Sequence, residues 1–164
     1  MKSKLICDIR RLFSHKGRLI LSLVVMTAIG ILTLFACNGI SIVWKITAHP
    51  PFTPPLFILV ILNLVICVLY GILCACATVS NRFAADGCFR VALSFALFLF
   101  WCPLALLARV YILALLALVI SAFYLILALR DIVCMRILSR VLAAIILVIF
   151  VWLGYISIGL TLGI

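Results

Sequence analysis

Apolar residues run through this chain in long stretches, and the charged residues fall between those stretches and not within them. Cut at arginine and lysine, the sequence leaves uncharged segments at 19–44, 50–81, 91–108, 110–129 and 141–164. A helix needs about 17–25 apolar residues to cross the hydrocarbon of a bilayer. The five segments therefore predict five spans, at 19–43, 54–79, 91–108, 110–129 and 141–162. Strands of a membrane barrel would alternate polar and apolar positions over roughly ten residues, and these runs do not. The expected fold is all-α: an integral membrane bundle of five transmembrane helices, residues 19–164, preceded by a short N-terminal segment, 1–18.

Composition agrees with the pattern. Of the 164 residues, 70% are hydrophobic and 10% charged, against about a quarter charged in an average soluble domain. The net charge of +10 is unevenly placed. With the N-terminus in the cytoplasm, eleven of the 13 cations fall on the cytoplasmic side, and only Lys45 and Arg109 on the other. Positive charge is retained inside, so the N-terminus is expected in the cytoplasm and the C-terminus outside. The basic character then serves a membrane surface that can meet anionic lipid, and no nucleic-acid motif competes with that reading.

The first 18 residues, MKSKLICDIRRLFSHKGR, set Leu5, Ile9, Leu12 and Phe13 at helical spacing among six cations. They predict an amphipathic helix lying on the inner leaflet. Two processing readings compete with it: a mitochondrial presequence, from the arginine-rich, acid-poor start, and a lipoprotein cleavage box at "LFAC", 34–37. The box fits poorly at Phe35, and the apolar run continues beyond Cys37. The eight cysteines lie mostly inside spans, where a thiol is a small buried hydrophobe. Their spacing fixes no disulfide pairing. Cys74 and Cys76 are two apart and point to nearly opposite sides of a helix, so they form no metal site.

Small residues mark where helices approach. Gly30 near the middle of the first span, and Cys67, Gly71 and Ala75 along one stripe of the second, leave room for a neighbour. Pro54 and Pro55 suit the first turn of the second span, where a missing N–H costs nothing. Pro103 near the end of the third ends or tilts that helix so that the chain turns at Arg109. The near absence of a loop there makes spans three and four antiparallel neighbours. Residues 130–140, with Asp131, Arg136 and Arg140 at helical spacing, predict a cytoplasmic helix extension.

Polar content narrows the function. There is no glutamate, and Asp8, Asp86 and Asp131 all fall in cytoplasmic segments. Ion-coupled transport normally uses ionisable groups at membrane depth, and none is present there. No Ser/His/Asp set, paired carboxylate or HExxH pattern offers hydrolytic chemistry; no catalytic or metal-binding residue is assigned. His49 stands near a candidate pocket, where an interfacial loop histidine is the plainer reading. Asn63, the carboxamide well inside a span, must find a partner and so faces the bundle. An interhelical hydrogen bond and a ligand contact weigh equally for it.

The stretch "WKITAHPPFTPP", 44–55, stands between spans one and two. It resembles the W-Y-x-x-L-x-K-P-x-W-x-P-P pattern of the TspO/MBR family, the translocator or tryptophan-rich sensory proteins, which are similar in length and have five spans. Trp44, Pro50, Pro54 and Pro55 match; His49 stands for the lysine, Phe52 for the tryptophan, and one residue is missing after Trp44. Gly71 keeps the spacing of the family's second-span glycine, "WCPL" at Trp101 is similar to its W-S-x-L, and 139–160 resembles its last span with Trp152 and Tyr155. Asn63 replaces the family's second-span tryptophan, and Phe98 its third-span asparagine. Val148 and Ile149 replace its Pro-Tyr, and Gly159 and Leu160 its Leu-Asn.

The resemblance implies a non-enzymatic membrane protein that binds a hydrophobic ligand, porphyrin, haem or sterol-like, in a pocket within the bundle, for a sensory, regulatory or transport-related role. The implied pocket residues are Pro55, Asn63, Phe98, Trp101, Trp152 and Ile156, with Trp44, His49, Pro50, Phe52 and Pro54 in a lid loop. No cofactor is required. The porphyrin-degrading activity suggested for the family would have no acid–base group here beyond His49. The implied partners are the lipid bilayer, a hydrophobic small molecule and a second copy in a homodimer. The expected location is a bacterial cell membrane, with a mitochondrial membrane as the alternative. The rival function is a structural or accessory membrane subunit without a small-molecule ligand.

Overall fold

A computed structural model describes residues 2–36, 53–79, 84–132 and 135–162. They form six helices: α1 Lys2–Ser14, α2 Lys16–Ala36, α3 Leu56–Val79, α4 Ala84–Cys102 continued by a π-helical turn Pro103–Leu107, α5 Tyr111–Asp131 and α6 Arg136–Leu162. Helices α2 to α6 are long and apolar enough to cross a membrane. The chain is an all-α integral membrane bundle of five long helices. Part of the first expected span, 37–43, lies outside the described residues.

Two helix ends differ from the hydropathy reading because charge at a helix end need not stop a helix. Helix α4 starts at Ala84 and not at Val91, since Arg90 finds a partner: its guanidinium lies 2.9 Å from Asp131 Oδ2 at the end of α5. The segment 130–140 is not one extension. Ile132 leaves helical geometry at ψ 82°, so Asp131 closes α5 and Arg136 opens α6.

The helices run antiparallel, and two contacts fix their ends. Arg18 at the start of α2 donates to the Thr78 carbonyl at the end of α3 at 2.9 Å, and Arg90 pairs with Asp131 as above. The starts of α2, α4 and α6 thus gather with the ends of α3 and α5. Helix α1 packs at this same end, with Leu12 buried while Ile6, Ile9 and Phe13 are exposed.

Helix α2 is the least buried span and rests chiefly on α3. Glycine permits that contact. A Cβ on Gly30 would collide with the Cys67 sulfur, and one on Gly71 would come within 3.0 Å of the Leu23 backbone. The sequence expects small-residue packing at these positions, and the structure names α2 and α3 as the pair.

Helices α3, α4 and α5 are joined at depth by a polar knot. The Ser94 hydroxyl donates to the Ser121 carbonyl and the Ser121 hydroxyl to the Ser94 carbonyl, each at 2.7 Å, and Tyr70 Oη lies 2.7 Å from Ser94 Oγ. Each hydroxyl is satisfied where no water competes, which is the condition for burying it. Around the knot Tyr70 packs on Phe95 with ring centres 5.2 Å apart, and Phe98 stacks on Phe150 at 5.6 Å.

Pro103 acts as the sequence expects. It has no N–H to continue the α-helical ladder, so the chain loosens into a π turn, with the Ala108 N–H bonded to the Pro103 carbonyl at 2.9 Å. Val110 N–H then reaches back to the Leu104 carbonyl at 2.9 Å, and Arg109 takes a left-handed conformation at φ 55°. Glycine usually holds such a C-terminal position; here an arginine does.

Candidate functional site

At the end of the bundle opposite α1, four helices leave a cleft. Helix α3 forms one wall with Leu59, Asn63 and Ile66, spaced by three and four residues so that they share a face. Phe98 and Trp101 of α4, Leu34 of α2 and Leu153 of α6 complete the lining. Among the described residues the lining is apolar apart from Asn63. Its free volume is about 30 Å³, whereas pockets for drug-sized ligands run to about 300–1,000 Å³. As packed, the cleft admits a water-sized group and not a tetrapyrrole ring.

Trp101 is fixed before any ligand arrives. It is 4% exposed, and its indole N–H donates to Ser157 Oγ at 2.9 Å. The ring therefore offers the cleft only apolar surface. Phe98 is held between Tyr70 and Phe150, with ring centres 6.3 and 5.6 Å away. Asn63 is half-buried, and among the described residues its carboxamide meets no hydrogen-bond partner. At this half-buried position the carboxamide stands open to a polar atom that enters the cleft.

The residues implied by the resemblance divide. Asn63, Phe98 and Trp101, from two helices and 38 positions of sequence (63 to 101), come together in the cleft. Ile156 is fully buried in the core, and Trp152 is half-buried; neither lines the cleft, and Leu153 stands there instead. Pro55 is exposed at the cleft's rim, next to Leu56, which does line it.

The prolines sit just before the helix and not inside its first turn. Ile58 and Leu59 donate to the Pro55 carbonyl at 2.9 and 3.4 Å, which makes Pro55 the N-cap residue. Pro54 is buried. Trp44, His49, Pro50 and Phe52 of the expected lid lie outside the described residues. Sequence reasoning missed Leu59 and Ile66, although the spacing of Leu59, Asn63 and Ile66 marks one helical face once Asn63 is taken to point inward.

A larger hollow, about 630 Å³, opens on the outer surface between α5 and α6 beside Leu118, Phe150, Gly154 and Tyr155. Its walls are apolar and it faces outward, as a lipid-filled groove does. No family model matches the chain, and neither the curated proteins nor the solved structures give a match.

Proposed function

We propose that this membrane bundle binds a hydrophobic small molecule in the cleft between α2, α3, α4 and α6, in a sensory, regulatory or transport-related role like that of the TspO/MBR family it resembles. The observation that carries the reading is the convergence of Asn63, Phe98 and Trp101 on one cleft. The ligand class is a flat, apolar, porphyrin- or sterol-like body with a polar atom for the Asn63 carboxamide. Aromatic faces and one hydrogen-bonding group suit such a body. Binding would require α3 and α4 to part, because the free volume is small.

That small volume favours a second reading, a structural or accessory subunit whose cleft stays shut. Titration of the full chain in nanodiscs with protoporphyrin IX and with a sterol, read by tryptophan quenching and by a competition assay, separates the two. Saturable binding weakened by Trp101→Phe supports the ligand reading; linear, unsaturable quenching with both probes supports the subunit.

The orientation is part of the same proposal: the α1 end in the cytoplasm and the cleft near the outer face. It is supported by the gathering of Arg18, Arg90, Arg130, Arg136 and Arg140 at the α1 end, with Arg109 at the other. Single-cysteine labelling of the 46–53 stretch should succeed only from outside; labelling from the cytoplasm would overturn it.

A further inference from the structure

We propose that Cys74 and Cys88 are a redox-active pair, which a hydroperoxide converts to a disulfide tying α3 to α4 at the end of the bundle remote from the cleft. The two sulfurs lie 3.3 Å apart across the helix pair, and both are free thiols. The residues sit in separate helices, so their meeting is a product of tertiary packing and not of local spacing.

Their exposures differ in a useful way. Cys74 is 6% exposed and also contacts the Ser22 hydroxyl of α2, while Cys88 is half-buried in the opening turns of α4. One sulfur can meet an oxidant and the other is held against it. Three other thiols among the described residues are placed otherwise. Cys76 is fully buried on another side of α3, and Cys67 is fully buried against Gly30 of α2. Cys7 is exposed on α1.

The chemistry balances with a hydroperoxide as the two-electron oxidant. The Cys88 sulfur attacks the peroxide, the O–O bond breaks, an alcohol or water leaves and Cys88 becomes a sulfenic acid. The Cys74 sulfur then attacks the Cys88 sulfur, the S–O bond breaks and water leaves with the remaining thiol proton. The sulfurs must close to about 2.0 Å. A dithiol reductant returns both to thiols. Cys74 and Cys88 lie roughly 15 Å along their helices from Asn63 and Phe98, at a rise of about 1.5 Å per residue. The bond therefore sets the spacing of the same two helices that wall the cleft.

The test is thiol mapping on the full chain in nanodiscs. After treatment with equimolar tert-butyl hydroperoxide, the protein is denatured in acid, alkylated and digested for mass spectrometry. The expected result is the loss of two alkylatable thiols, a Cys74–Cys88 cross-linked peptide lighter by two hydrogens, and reversal by dithiothreitol. Cys76→Ser should keep the cross-link, and Cys88→Ser should abolish it and leave Cys74 alkylatable. Recovery of Cys74 and Cys88 as thiols while the exposed Cys7 is oxidised would overturn the proposal, as would a cross-link from Cys74 to another cysteine. Mapping on the unsubstituted chain decides the matter even where a variant does not fold.

Discussion

The indole N–H of Trp101 donates to Ser157 Oγ at 2.9 Å, and the Ser157 hydroxyl donates in turn to the Leu153 carbonyl at 3.0 Å. This relay fastens α4 to α6 beside the cleft, and it spends the one polar atom of the tryptophan on the protein itself. Ser157→Ala leaves that N–H without an acceptor in a nearly closed site, and should destabilise the bundle by about 1–3 kcal/mol. Trp101→Phe removes the donor as well, so the double variant should lose less than the sum of the two. Denaturation of the four proteins in mixed micelles measures the coupling; strict additivity would show the bond to be inert.

Gly30 and Gly17 make a matched pair on α2. A Cβ at Gly30 collides with the Cys67 sulfur, while one at Gly17 meets none of the described residues within 4 Å. Gly30→Ala should therefore push α2 off α3 and cost about 1–3 kcal/mol. Gly17→Ala should leave stability unchanged or raise it by up to about 1 kcal/mol through helix propensity. Thermal unfolding in one detergent compares them, and equal effects would contradict the close approach.

Asn63 separates stability from binding. Asn63→Leu replaces a carboxamide that has no hydrogen-bond partner among the described residues, so stability should rise by about 1–2 kcal/mol. If the cleft binds a ligand through this group, the same variant should weaken protoporphyrin or sterol binding about tenfold, the value of a single hydrogen bond near 1.4 kcal/mol. A rise in stability with unchanged binding would remove Asn63 from the site and leave the cleft reading to Phe98 and Trp101.

Arg109 holds a left-handed backbone at φ 55°, a conformation that costs a residue with a Cβ about 1–2 kcal/mol. Arg109→Gly should stabilise the α4–α5 turn by about 1 kcal/mol. Arg109→Val should destabilise it, because a β-branched side chain tolerates this region worst. Thermal unfolding of both variants should move in opposite directions.

Which parts of the fold were legible follows from the range of the forces involved. Pro103 announces its break in the chain because the missing N–H is a local fact. The start of α4 was not legible, because Arg90 reads as an end of helix until Asp131, 41 positions away (90 to 131), is seen beside it. Within the cleft, Asn63 could be aimed inward from the cost of an amide in hydrocarbon. The choice between Trp152 and Leu153 could not be made in the same way. One residue is about 100° around a helix, and only the packing of α6 on α4 fixes which side faces in.

The amino-acid sequence by itself determined that the chain spans a membrane with five helices and where small residues would admit a close neighbour. Those properties depend on the solvent preference of contiguous stretches, and each stretch carries it alone. Only the tertiary structure decided that Gly30 meets Cys67, that Ser94 and Ser121 exchange hydrogen bonds beneath Tyr70, that Trp101 is tied to Ser157, and that Cys74 comes to rest against Cys88. In an apolar solvent every span is equally content on any face. The rotation of each helix is set by the few polar and small side chains that find one another, and those meetings are written across helices and not along them.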